Sequence, residues 1–218
     1  IALGLPATML KTQYRMHPVI REWPSERFYG GELDDGITAT DRPAPAGFVW
    51  PDWDAPIAFV PVDGSEDTSA DGRSKHNLDE AGLAVRIVDM LLSGGDLEPM
   101  DIGVVTPYSG QVRLLNDLFE NAGGREIGEK YHGLEIKSVD GYQGREKEVI
   151  ILSSVRANDA GELGFLTDYR RLNVAITRAK RGLILLGHPR TLRNSTDWAS
   201  WCDWARERGL EAYHVLHM

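Results

Sequence analysis

Glu148-Val-Ile-Ile-Leu-Ser-Ser-Val155 and Leu183-Ile-Leu-Leu186 decide the fold of this chain. Both are short, nearly unbroken apolar runs, and such runs are what a strand buried on both faces requires. Between them, Arg170 to Ala179 sets Leu172, Val174, Ala175 and Ile176 at helical spacing. The alternation continues outward. Ile102 to Val105 and Leu134 to Val139 read as strands. They flank a helix over about 110–121 that turns Val112, Leu115, Leu118 and Phe119 inward. Ile57 to Val62 reads as a further short strand. Asn77 suits a helix cap, and Glu80 three places on completes a capping box. Leu83, Ile87, Val88, Leu91 and Leu92 then recur at helical spacing until Gly94-Gly95 stops the helix. A last helix is expected over about 191–208. Strands alternating with helices predict an α/β domain, a parallel sheet with helices on both faces. In such sheets ligands sit beyond the carboxyl ends of the strands. Chemistry is therefore expected after Val105, after Val139 and around Arg178.

The 218 residues suit a single domain over 1–218. Residues 31–76 form its irregular, acidic part: 31–56 are rich in Gly, Pro, Asp and Trp without a period, and 64–75 are polar. No apolar run approaches the ~18–20 residues of a membrane span. The chain opens on Ile1 after no signal-peptide pattern, which suggests a piece of a longer protein. One cysteine, Cys202, excludes an internal disulfide and a cysteine metal cluster. It fits a reducing compartment, cytoplasmic or nuclear. The net charge of −9 argues against a nucleic-acid binder only until it is divided. Residues 26–101 hold 17 acidic and 5 basic side chains, whereas 134–193 hold 7 acidic and 11 basic. Phosphate binding depends on local positive charge, so a basic groove is compatible with an acidic total.

Five segments bear groups capable of chemistry, and each has a plainer account. Gln143-Gly-Arg-Glu146 follows Ser138-Val-Asp-Gly-Tyr142. Its glycines permit a tight approach to a ligand, and Glu146 could accept hydrogen bonds from a ribose; the plainer account is a turn with a solvated acid. In Arg170-Arg-Leu-Asn-Val-Ala-Ile-Thr-Arg-Ala-Lys180 the apolar face leaves Arg171, Arg178 and Lys180 pointing elsewhere. An arginine there could stabilise a transferring phosphoryl group, or merely form surface ion pairs. Tyr14-Arg15, before Met16-His-Pro18, could stack on a base and reach a phosphate; otherwise Tyr14 is a core aromatic. Thr106-Pro-Tyr-Ser-Gly-Gln111 could offer hydroxyls and amides to an anion, or simply cap a helix. Trp198, Trp201 and Trp204, three apart, read as packing on one side of the last helix rather than as a base-stacking array.

In order along the chain, QYRMHP (13–18), TPYSGQ (106–111), SVDGYQGREKEVIILSSVRAN (138–158) and GFLTDYRRLNVAITRAKRGLILLG (164–187) resemble the signature series of the second motor domain in Upf-like superfamily 1 helicases, the up-frameshift family of nonsense-mediated decay. The resemblance runs from about Leu10 to Gly209 and is weakest across 31–76. It implies a RecA-like sheet of the P-loop NTPase class, with ATP between two motor domains and a single strand of RNA or DNA across their top. It further implies that Tyr14 stacks on the adenine, that Arg15 and Arg178 act as arginine fingers, and that Glu146 bonds the ribose while Gln143 lines the nucleotide cleft. Thr106, Ser138 and Val139 would touch the nucleic-acid backbone. No G-x-x-x-x-G-K-[ST] phosphate loop occurs in the sequence, and no Asp-Glu box for magnesium and water activation is expected in it. By the same resemblance, the phosphate loop and the Mg²⁺ site belong to the first motor domain of the same polypeptide, and this chain alone is expected to be inactive. No metal ligand is expected in it. Regulatory proteins are further expected partners. Two other functions compete: a binding platform without turnover, and the motor half of a helicase–nuclease.

Overall fold

Five strands form one wholly parallel sheet in the computed structural model, which describes residues 9–121 and 130–217. They are β1 (Ile57–Pro61), β2 (Ile102–Thr106), β3 (Glu135–Ser138), β4 (Lys147–Ser153) and β5 (Ala179–Gly187), in the spatial order β1-β5-β4-β2-β3. The helices are α1 (Pro18–Tyr29), α2 (Leu78–Ser93), α3 (Ser109–Asn121), α4 (Tyr169–Ile176), α5 (Pro189–Leu192) and α6 (Thr196–Glu207). The apolar runs become the central strands because successive side chains meet different layers. Ile150 and Leu152 of β4 pack with α1, α4 and α6, whereas Val149 and Ile151 pack with α2 and α3. Each such side chain, fully buried, contributes about 1.5–3 kcal/mol. A charge at Ile151 would remove that contribution and bury an unpaired ion. The expected parallel sheet, covered on both faces, is what forms. The chain's first eight residues lie outside those described.

Several local expectations are corrected. Residues 31–76 are irregular but contribute to the core, because Phe48 and Trp50 are buried in the α2/α3 layer. Trp50 donates to the Pro45 carbonyl at 2.7 Å and lies on Gly182 of β5, where a Cβ would stand 2.7 Å from the indole. The helix expected over 170–179 ends at Ile176, and β5 starts at Ala179 rather than Leu183. Pairing outweighs helical propensity here: Ala179 is in register with Lys147, and the Lys147 amide donates to the Arg178 carbonyl. The helix expected over 191–208 is two helices, capped separately by His188 and Ser195. Trp198 and Trp201 are buried as expected, but Trp204 is half-buried with Arg208 over its ring. Only half of the expected capping box forms. Asn77 accepts from the Glu80 amide, but the Asn77 amide donates to Gln111 and the Glu80 carboxylate turns inward.

The connection from β3 to β4 runs from one edge of the sheet to the other. It leaves Ser138 at the carboxyl edge, makes a single 3₁₀ turn over Asp140–Tyr142, and reaches Lys147 at the amino edge. Tyr142 is buried and donates to the Glu135 carbonyl at 3.4 Å. It passes over β2 where Gly103 leaves space: a Cβ there would lie 2.0 Å from the tyrosine hydroxyl.

Candidate functional site

A basic cleft of about 460 Å³ is lined by Gln13, Tyr14, Arg15, Arg42, Glu146 and Lys180. It lies at the amino ends of β4 and β5, since Glu146 immediately precedes β4 and Lys180 is the second residue of β5. This corrects the expectation that every ligand segment sits at the carboxyl edge. The segments after Thr106 and Ser138 do lie there, whereas Arg178 lies at the opposite edge. The β3–β4 crossover joins the two.

Gln13 fixes the loop that presents Tyr14 and Arg15. Its Oε1 accepts from the Arg15 and Met16 amides at 2.9 and 2.8 Å, and its Nε2 donates to the Met16 carbonyl and to Asp35. Arg42 grips the same loop from outside, donating to the carbonyls of Arg15 and Tyr14 at 2.9 and 3.2 Å. The His17 amide donates to the Lys180 carbonyl, which ties the loop to β5. The alternative of Tyr14 as a core aromatic is excluded by its 66% exposure. One side of its ring lies on Gly36, where a Cβ would stand 2.2 Å from Cε1.

The charged groups form a small, unbalanced set. Arg15 Nε donates to Glu146 Oε2 at 2.5 Å, and Lys180 Nζ lies 3.3 Å from Glu146 Oε1. The Arg15 hydrogen bond above all, with Lys180 adding to it, holds the Glu146 carboxyl below the usual carboxylate range. It is therefore an ionised acceptor at neutral pH, not merely a solvated acid. Arg15 Nη1 also donates to the Thr177 carbonyl at 3.2 Å, and Arg178 Nη2 donates to the Thr177 hydroxyl at 3.0 Å. Two guanidinium groups thus converge on one residue. Arg178 is further held by the Val174 carbonyl at 3.0 Å, and among the described residues no carboxylate lies within ion-pair distance of it. Burial, and then the nearby Arg15 charge, lowers its pKa from the ordinary value. A surface ion pair is therefore not its role. A half-buried cation fixed by neutral acceptors beside a second cation is arranged to receive an anion.

Other expected site residues fall elsewhere. Gln143 does not line this cleft. It borders a separate hollow of about 230 Å³ with Val139, Asp140, Asp168, Arg170 and Arg171, because the 3₁₀ turn ends before the chain reaches the amino edge. Thr106 is fully buried and Val139 nearly so, so neither side chain is open to solvent. Thr106 Oγ1 accepts instead from the Tyr108 amide, and the Val139 amide donates to the Thr106 carbonyl. Ser138 is half-buried and accepts from the Gly141 amide at 3.2 Å. Sequence reasoning missed Gln13, Arg42 and the part Lys180 takes. Gln13 and Lys180 stood inside quoted motifs, but Arg42 lies in an aperiodic stretch with no local signal. Among the described residues no group of three or more His, Cys, Asp or Glu side chains is arranged to hold a metal, and no helix is long and apolar enough to cross a membrane.

Fold and cleft together define a RecA-like α/β domain with a basic cleft at the amino edge of its parallel sheet. The chain belongs to the AAA domain family AAA_12, whose profile matches residues 2–190. It is similar to the Regulator of nonsense transcripts 1 homolog of Neurospora crassa, 45% identical over 199 residues that cover 91% of this chain and 18% of that protein. It is 43% identical over 210 residues to the ATP-dependent helicase NAM7 of Saccharomyces cerevisiae, covering 96% of this chain and 21% of that protein. With the Drosophila melanogaster Regulator of nonsense transcripts 1 homolog it shares 39% over 208 residues, 95% of this chain and 18% of that one. The chain spans about a fifth of the length of these curated relatives.

Proposed function

We propose that this chain is the second motor domain of an ATP-dependent helicase acting on single-stranded RNA or DNA, in a protein that controls nonsense transcripts. The observation that carries the proposal is the convergence of Arg15 and Arg178 on Thr177, with no carboxylate paired to Arg178 among the described residues. Helicase relatives at 43% identity support it.

On this reading ATP lies between the basic cleft and a first motor domain, which supplies the phosphate loop and Mg²⁺. Tyr14 stacks its open face on the base. Glu146 accepts from the ribose hydroxyls. Arg15 gives up part of its pairing with Glu146 for a phosphate oxygen. Arg178, already desolvated, meets the charge that develops on the γ-phosphoryl group. Its fixed position means that little reorganisation accompanies the transition state. Nucleic acid runs along the carboxyl edge, where the Ser138 hydroxyl and the backbone of the loops after β2 and β3 offer contacts. The β3–β4 crossover then links strand and nucleotide sides through eight residues, 139–146.

Arg178→Ala in the full-length protein tests the proposal. Turnover should fall by roughly 10³-fold or more, as for arginine fingers in related phosphoryl transfer. ATP and strand affinities should stay within a few-fold of wild type, because the interaction strengthens mainly in the transition state. Arg178→Lys should recover little, since an ammonium cannot reproduce the planar fork. Arg181, which pairs with Asp96 and the Pro43 carbonyl, is the control. Wild-type turnover in Arg178→Ala would end the assignment.

A further inference from the structure

Val155 is the one non-glycine residue with positive φ among the described residues, at 71°. A β-branched side chain in the left-handed region is a true outlier, held only where its surroundings over-determine it. Here the surroundings are specific. The Val155 amide donates to Glu80 Oε2 at 2.9 Å, and its carbonyl accepts from Asn77 Nδ2 at 3.3 Å. Glu80 lies in the first turn of α2 and is wholly buried. Oε2 also accepts from the Ser153 hydroxyl at 2.6 Å, and Oε1 accepts from the Ser154 hydroxyl at 3.3 Å. Among the described residues no cation pairs with Glu80. Burial pushes its carboxyl up to about 7, against the hydrogen bonds from Ser153, Val155 and Ser154. A core that needed only packing would place neither a lone carboxyl nor a left-handed valine here.

The residues immediately after Val155 give the arrangement its purpose. Arg156, 5% exposed, donates to Glu66 Oε2 at 2.8 Å and to the Tyr108 hydroxyl at 3.2 Å. The amide of Ala157 and the side-chain amide of Asn158 reach the same Glu66 oxygen, each at 2.9 Å. The Tyr108 hydroxyl donates to the Leu163 carbonyl and accepts from the Phe165 amide, both at 3.2 Å. The turn after β4 therefore sets the loop after β2 and the loop leading into α4 against each other. Both border the carboxyl edge. Phe165 stands 53% exposed beside them, 5.4 Å from Tyr108 and with Arg171 over its ring at 5.3 Å.

We propose that Glu80 is a positioning residue for the strand-binding edge: its carboxylate clamps Val155 in the left-handed turn, and that turn, through the buried Arg156 and Tyr108, aligns the Leu163–Phe165 loop with its exposed Phe165 for contact with a single strand. The strand rests on the helicase reading of this domain; the clamp stands independently of it.

The test uses the full-length protein with Glu80→Met, which keeps the volume but removes the acceptors, Glu80→Gln, which keeps one, and Glu80→Met combined with Val155→Gly. Affinity for a labelled oligouridylate and amide exchange over 155–166 are read together with the KM for ATP. Glu80→Met should weaken strand binding about tenfold, the equivalent of one lost buried hydrogen bond, and speed exchange over 155–166, with KM unchanged. Glu80→Gln should stay near wild type. Val155→Gly should restore both readouts in the Glu80→Met background, because glycine adopts this φ without a clamp. Should Glu80→Met alone not fold, the double variant decides: folded with protected amides upholds the clamp, unfolded or unprotected overturns it. Normal strand affinity and exchange in Glu80→Met, or a loss that Val155→Gly leaves in place, overturns the proposal. A wild-type protein that fails to bind the oligonucleotide refutes the strand reading, and exchange alone then decides the clamp.

Discussion

Tyr14 shows how a single side chain acquires a role from its neighbours. A tyrosine beside an arginine has many possible uses, but this one is exposed, lies on a glycine, and projects from a loop held by Gln13 and Arg42. A ring supported on one side and open on the other is pre-organised for stacking, so little side-chain freedom is lost on binding. Tyr14→Ala should therefore weaken ATP binding by roughly 0.5–2 kcal/mol, the range of stacking and cation–π contacts. It should leave the melting temperature of the protein nearly unchanged, because an exposed ring contributes little to the core. Nucleotide titration beside thermal unfolding separates the outcomes: unchanged affinity with a sharp drop in melting temperature would return Tyr14 to the core.

At the scale of elements, the crossover between β3 and β4 joins the two edges of the sheet that the proposed function assigns to strand and nucleotide. Parallel strands usually need a dozen or more residues to return along the sheet. Residues 139–146 manage it with one 3₁₀ turn, because β3 is four residues long and Tyr142 packs over Gly103. Gly103→Val would drive a side chain into the tyrosine hydroxyl. The expected loss is about 1–3 kcal/mol, typical of overpacking, measured as a lowered urea midpoint at constant m-value. The same change should shift the geometry of Glu146 relative to Ser138, so turnover should fall further than the stability loss explains. An unaltered midpoint would mean that the crossover accommodates the extra volume by moving.

Charge separation belongs to the whole molecule. The acidic side chains concentrate in 26–101 and the basic excess in 134–193, which supplies Glu146's partner Lys180 and Arg178, whose guanidinium is held by neutral acceptors. A chain of net charge −9 is therefore expected to bind nucleic acid with a steep salt dependence. If three phosphates are neutralised at roughly 0.7 each, the slope of log affinity against log salt is about −2 for a single strand. Fluorescence anisotropy of an oligonucleotide with the full-length protein, between low and physiological salt, checks this. A flat response would turn the basic segment away from the strand.

The sequence by itself determined the sheet and the chemical vocabulary of the site. Strand cores such as Val149–Leu152 and Leu183–Leu186 are legible because burial on both faces demands unbroken apolar runs. Tyr14, Arg15, Glu146 and Arg178 are legible because they stand in motifs of fixed order. The end of α4 was not legible. Local helical preference continues through Thr177 and Arg178, and only pairing of Ala179 with Lys147 cuts it short. Nor was the meeting of Arg15 with Glu146 and with Thr177, partners 131 and 162 residues apart in the chain. Periodicity encodes which face a residue presents, but it does not encode which distant residue it meets. The burial of Thr106, the separate hollow of Gln143 and the grip of Arg42 were decided the same way. The left-handed Val155 was decided most completely by tertiary structure: valine disfavours that conformation locally, and it is held by groups from another element, the Glu80 carboxyl and the Asn77 side chain at the start of α2.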